Sequence, residues 1–406
     1  MPSTRPAPIP AQDEAIATAA RRVRILGSLT WPLQVETRFL ARWRAGDRAL
    51  PQPPAVEPPP SDPVFTEAPT SLDRADPVHA FVARTADSYA RAQAMLAAAG
   101  TRAFTEHSSA LYGHPDDELS PGGPTVRDEA EHLLQATEAM ADVPSPPKTM
   151  TSAQAQQWLQ ERIDDQFDDP LPVELDPELA SLASASSRRL RLRDGERWSE
   201  VQVAQLLFHE ALVHTATKRN GRSQPLACLG LSSPRTTTVQ EGLATFAELI
   251  TDTLDLARLR RVALRVKIVD QVLDGADFVE VFEGLLDDGQ EEHEAFRTAQ
   301  RVFRGGDVRG GVAFTKDVVY LRGLREVHGF LLASLRAHRP ELCDILFAGR
   351  MTAGDALALA PRFADGTLHA PVRRPGWLQA TDRLAAYLAW AAFGQGVEAR
   401  PLDSFR

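Results

Sequence analysis

At 406 residues, 43% hydrophobic and 25% charged, the chain has the composition of a folded globular protein, with length for one large domain or two ordinary ones. A net charge of −10 excludes a general phosphate-backbone binder, and two cysteines, Cys228 and Cys343, exclude a disulfide framework. No apolar run approaches the roughly 18 residues of a membrane span, and Met-Pro-Ser-Thr-Arg-Pro is not followed by the apolar core of a signal peptide. The expected setting is therefore reducing and cytoplasmic, with neither nucleic acid nor membrane as partner.

Residues 1–10 are Pro-rich and are expected to be disordered. Apolar spacing predicts helices over 11–26 (Ile16, Ala19, Val23, Leu26) and from Trp31-Pro32 to about Trp43, with Phe39 and Leu40 inward. Residues 51–60 contain six prolines and read as an extended connector. Asp76-Pro77 opens a helix running to about Ala99 and ending at Gly100. Further amphipathic helices are predicted over 102–113, 125–141 and 152–166. His107, His114 and His132 lack a paired carboxylate pattern and read as structural or surface histidines.

Alternation then replaces helical spacing. Leu171 to Leu175 and Arg189 to Arg193 read as half-buried strands, and Asp194-Gly195 as a turn. Ser199 with Gln202 three residues on is a capping-box signature for the next helix. That helix carries His209-Glu210-Ala211-Leu212-Val213-His214 and is predicted to stop at Asn220-Gly221. A strand, a turn and a motif helix form a zincin-like order, with an edge strand above the site to hold extended peptide.

Two histidines with a glutamate directly after the first suit a catalytic metal site. The spacing is one residue longer than the common His-Glu-x-x-His. On a regular helix, residues five apart lie about 140° apart, so shared ligation demands a π-bulge near Ala211 to Val213. The alternative is a core helix bearing two unrelated histidines. A third ligand is available in Glu241, which the β-branched run Thr236 to Val239 places at the start of another helix. A dipole-favoured surface glutamate would look the same. Glu248, two turns on, is a candidate for orienting a ligand from behind.

Several motifs in order carry a resemblance. They are His209 to His214, Asn220-Gly-Arg-Ser-Gln224-Pro225, Gln240-Glu-Gly-Leu-Ala244, and Phe314-Thr-Lys316-Asp-Val-Val-Tyr320-Leu-x-Gly323. Together they resemble the Gln-Glu-Gly-Leu-Ala motif family, labelled flavohemoglobin expression-modulating proteins, whose eukaryotic relatives are the microtubule-associated tyrosine carboxypeptidases. The resemblance implies one zinc ion held by His209, His214 and Glu241, with Glu210 as general base. It also implies an α+β, predominantly helical fold of zincin-like (gluzincin-type) character, with a small sheet beside the motif helix. Gln240 stands where the tubulin-acting members carry a second glutamate, and the Gly-rich approach to Phe314 differs in length and composition.

The expected activity is that of a zinc metallopeptidase, a carboxypeptidase acting on a peptide or protein C-terminus. Tyr320 is the candidate donor to the developing oxyanion. Residues 304–315 form a Gly-rich loop into a helix capped by Thr315, whose start would bind a terminal carboxylate with Lys316 and Arg304. Asn220 and Gln224 are candidates for holding substrate backbone, although a helix-capping role suits Asn220 equally. An aminopeptidase or dipeptidyl peptidase with the same six-residue motif, and a non-catalytic zinc-binding regulator, remain alternatives. Residues 253–274 predict a long helix whose Arg258, Arg260, Arg261 and Arg265 read as a solvated face. The helix from Lys316 to about His338 reads as core packing, with two short helices following over 352–406. A single catalytic domain is expected over 11–395: N-terminal helices and connector (11–60), a helical region (61–170), the zinc-site core (171–350) and C-terminal helices (351–395). Residues 396–406 form a tail; the oligomeric state is unknown.

Overall fold

Local capping signals mark where several of the helices begin. The computed structural model describes residues 9–140, 142–179 and 182–394. Residues 1–8 of the Pro-rich start, Ala141 of the predicted 125–141 helix and the 396–406 tail lie outside them. Asp76 caps Pro77–Ala97 by accepting from the backbone N–H groups of Val78 and His79, and proline at the first position needs no bond. Capping boxes open Val126–Glu138 at Thr125, Ser152–Asp164 at Thr151 and Glu200–Leu206 at Ser199. The predicted 11–26 helix is two, Gln12–Ala20 and Ile25–Leu29, with Leu26 exposed.

The strands are few and short. β1 (Met150–Thr151) pairs antiparallel with β5 (Arg197–Trp198). β2 (Val173–Asp176) and β4 (Leu190–Arg193), the two predicted strands, pair in parallel, Val173 opposite Leu190. β3 (Ala183–Ala185) lies antiparallel on the other side of β4. Its Ala-Ser-Ala sequence has no β propensity, so only the pairing makes it a strand. The architecture is predominantly helical with small sheets.

The described chain has three apolar cores, and the motif residues sit where they meet. One core gathers Pro77–Ala97, Thr237–Ile250, Val319–Arg336 and the C-terminal helices. A second, rich in phenylalanine, joins Leu33–Arg44 to Leu256–Leu273, Phe278–Asp287 and Glu292–Phe303. A third lies under the strands and Ser152–Asp164. Val213 belongs to the first core, Ala211 and Leu212 to the third, and Phe314, Val318 and Val319 to the second.

Two expectations fail here for the same reason. Thr237 to Gln240 are helical, inside Thr237–Ile250, so Glu241 lies in the second turn and does not open the helix. Val239 is fully buried there, and tertiary packing outweighs the modest cost of β-branched residues in a helix. This helix crosses Val319–Arg336 with backbones in contact: a methyl on Gly242 would lie 2.2 Å from the Gly323 carbonyl oxygen. Thr315 is not a cap. A 3-10 turn, Thr315–Val318, precedes Val319–Arg336, and the buried Thr315 hydroxyl instead hydrogen-bonds that of Ser108 at 2.9 Å.

Candidate metal centre

The motif helix starts as regular α-helix, Glu200–Leu206, turns π-helical over Leu207–Thr215 and returns to α-helix over Ala216–Arg222. The wider turn accommodates one more residue, so His209 and His214 come to one face. Their ring centroids are 4.8 Å apart at 86°. Glu241 meets both: its Oε2 lies 3.6 Å from His209 Nε2 and 3.5 Å from His214 Nε2. Bonds of about 2.1 Å at tetrahedral angles place neighbouring donors about 3.4 Å apart, close to both His–Glu separations, and with all three donor atoms within 4.8 Å of one another the set could hold one divalent ion.

Two of the three candidate ligands, His209 and Glu241, are oriented from behind, whereas His214 Nδ1 has no hydrogen-bond partner among the described residues. His209 Nδ1 donates to Glu248 Oε1 at 2.5 Å, which directs Nε2 at the shared point. Glu248 is fully buried. Burial works against its charge, but Arg258 and His209 prevail and hold the carboxyl at about 2. Glu241 keeps its second oxygen for Lys316, whose Nζ donates at 3.2 Å. Burial again opposes ionisation, and the Lys316 charge with the two histidines holds Glu241 well below the ordinary range. Without a metal, these acids also favour protonated His209: burial opposes the imidazolium, yet Glu241 and Glu248 raise it to about 10. The backbone carbonyl of His214 accepts from Arg350 at 3.1 Å, and Arg350 is tied in turn to the Ser232 hydroxyl at 2.8 Å.

Glu210 is half-buried and makes no side-chain hydrogen bond or ion pair to a described residue. Tyr320 is buried one turn beyond Lys316, with Arg301 donating to its hydroxyl at 3.4 Å. Its ring lies 4.7 Å from the Arg265 guanidinium and 5.4 Å from Lys316 Nζ. Burial and Glu241 raise the phenol, but the charges of Lys316, Arg301 and Arg265 outweigh them and the net shift is downward. Arg301 forms two 2.6 Å bonds to Asp317. Arg304 stacks 5.3 Å from the Phe314 ring, and neither it nor Arg265 makes a side-chain hydrogen bond to a described residue.

Two candidate substrate contacts are otherwise engaged. The Asn220 amide donates to the carbonyls of Phe347 and Arg373, both at 2.8 Å, and accepts from Arg373 N–H. Gln224 donates to the carbonyls of Ala348 and His369 and accepts from His369 N–H. Both side chains staple the end of the motif helix to the C-terminal segment, and no polar atom is left for a substrate. Asn220 lies within its helix, so it is not the cap either. The arginines of Leu256–Leu273 are not a solvated face: Arg258 bonds Glu248, Arg260 bonds Thr137, and Arg265 flanks Tyr320. Sequence reading missed these arginines and Arg350. The available signal was that Arg258 and Arg265, seven apart, share a helical face; nothing local says that the face turns inward.

A compact His, His, Glu set on a helical scaffold, backed by buried carboxylates and bordered by cations, defines a candidate metallohydrolase site. Residues 43–396 match the model of the microtubule-associated tyrosine carboxypeptidase family, so the chain belongs to that family and is an enzyme of the carboxypeptidase type. Among solved structures it is similar to Trypanosoma cruzi metallocarboxypeptidase 1, at 13% identity over 94% of this chain and 86% of that one, with a TM-score of 0.32. No curated protein matches the chain.

Proposed function

We propose that the protein is a zinc-dependent carboxypeptidase that removes a residue from the C-terminus of a peptide or protein. One observation carries the reading: the donor atoms of His209, His214 and Glu241 lie within 4.8 Å of one another, with Glu248 behind His209 and Lys316 behind Glu241. Two nitrogen ligands and one carboxylate suit zinc and leave a position open. Zinc bound there would supply a polarised water and polarise the scissile carbonyl.

The chain's own residues do the rest. Glu210, beside a ligand and without a side-chain partner among the described residues, takes a proton from water and delivers it to the leaving amine. The Tyr320 phenol, surrounded by positive charge, donates to the oxygen that gains charge in the transition state. Arg304 and Arg265, which donate no hydrogen bond to a described residue although Arg265 stands 3.9 Å from Asp317, hold the terminal carboxylate. Lys316 acts chiefly by directing Glu241. A cationic border favours a carboxylate over the ammonium that an aminopeptidase must hold. The family's name makes a C-terminal tyrosine the first residue to try.

The direct test is mass spectrometry of peptides ending in different residues, each with a free and an amidated C-terminus, alongside metal analysis. Loss of one terminal residue from the free form alone is expected. Cleavage indifferent to amidation, or protein purified with full activity and no zinc, would overturn the reading.

A further inference from the structure

Arg258 stands in the first turn of Leu256–Leu273, where a cation faces the positive end of the helix dipole and gains nothing from it. The side chain is nevertheless 11% exposed and turned inward onto a carboxylate with no exposure at all. Burying such a pair is not in itself a route to stability, since desolvation costs about what the attraction returns. Its geometry points to another use.

Glu248 has room for about four hydrogen bonds, and all four are made. Arg258 takes both oxygens with a planar fork, Nε to Oε2 and Nη2 to Oε1, each at 3.0 Å. Gln205 donates to Oε2 at 2.6 Å, and His209 Nδ1 takes the remaining place on Oε1 at 2.5 Å. The fork sets the plane of the carboxylate, and that plane sets the direction in which His209 is held. Arg258 also lies 5.7 Å from the centre of the Tyr320 ring. Tyr320 lies 5.4 Å from Lys316, Lys316 bonds Glu241, and Glu241 faces His209. The contacts therefore close into a ring through two ligands and the tyrosine.

We infer that Arg258 is a positioning residue that aligns the metal ligand His209, through Glu248, with Tyr320. The inference rests on the metal reading above. A lysine would keep the charge but cannot span both carboxylate oxygens.

The test uses full-length protein carrying Arg258→Met, Arg258→Lys, Glu248→Gln, or Arg258→Met with Glu248→Gln. Zinc affinity is measured by competition with a chromophoric chelator, and the visible spectrum is recorded after cobalt(II) loading. Arg258→Met and Arg258→Lys are each expected to weaken zinc binding by about tenfold or more, the usual cost of removing such a support, and to shift the cobalt bands. The double variant is expected to bind no more weakly than Glu248→Gln alone, because the two residues act in series. Zinc binding and a cobalt spectrum equal to wild type in Arg258→Met would overturn this inference alone. Wild-type protein that takes up no zinc would overturn the metal reading and this inference with it. Should Arg258→Met fail to fold, Arg258→Lys decides: wild-type zinc affinity overturns the role, and a tenfold loss supports it.

Discussion

The two ends of one helical stretch treat their polar groups in opposite ways. At His209 to His214 the two imidazoles converge with Glu241, their donor atoms within 4.8 Å of one another, and Glu210 makes no side-chain hydrogen bond or ion pair to a described residue. At Asn220 to Gln224 every amide hydrogen-bonding direction that matters is taken by backbone from the 347–373 region. Both ends read as functional from residue type. What separates them is saturation: a buried polar group with its partners present specifies structure, whereas groups aimed at one another across a gap specify a ligand.

That contrast can be broken by substitution, and the largest effect belongs to the open end. Glu210→Gln should lower kcat by about 10³-fold while zinc content and the melting temperature stay at wild-type values. Steady-state kinetics with metal analysis checks this, and a drop in stability instead would place Glu210 among the staples. His214→Ala, which removes a donor, should weaken zinc binding by more than about 100-fold, since loss of a mere supporting residue already costs 10–100-fold. Chelator competition reads it.

At the closed end, Asn220→Ala should cost about 2–3 kcal/mol of stability, because it strands buried carbonyls of Phe347 and Arg373 and the Arg373 N–H. Denaturant unfolding measures the loss, and kcat of the folded enzyme should not change. Lys218, between the two ends, tests the smallest effect. Burial and the charges of Arg350 and Arg222 push it down to about 8, against 10.5 ordinarily. The unfolded chain therefore binds this proton more tightly, so the charged form penalises folding at neutral pH. The penalty is relieved as pH rises from about 8 toward 10.5. Lys218→Met should be more stable than wild type at pH 7, and that advantage should shrink by pH 10, as unfolding midpoints at the two pH values would show.

The π-helical turn was legible in the sequence, because two histidines five residues apart cannot share a face of a regular helix. The capping boxes and the paired strands were legible because their signals are local. Glu241 is a ligand candidate by sequence, but its place in the second helical turn is not legible there, since Thr237, Thr238 and Val239 have low helical propensity and tertiary packing, with Val239 buried and Gly242 against Gly323, overrides it. Arg258 and Arg265 were misread for a related reason. A surface arginine and one turned inward onto a buried carboxylate have the same local sequence. Glu248 lies on the preceding helix and the Tyr320 ring on Val319–Arg336, and only the packing of those helices brings them to Arg258 and Arg265.

By itself the sequence determined the candidate donors His209 and His214, the glutamate between them and the helical distortion needed to bring the two histidines together, because residue type and spacing along one helix carry that information. The tertiary structure alone decided which polar residues remain free for chemistry. That depends on where three cores meet and on backbone groups more than a hundred positions away in the chain, and a hydrogen bond between distant residues leaves no mark on the sequence near either one.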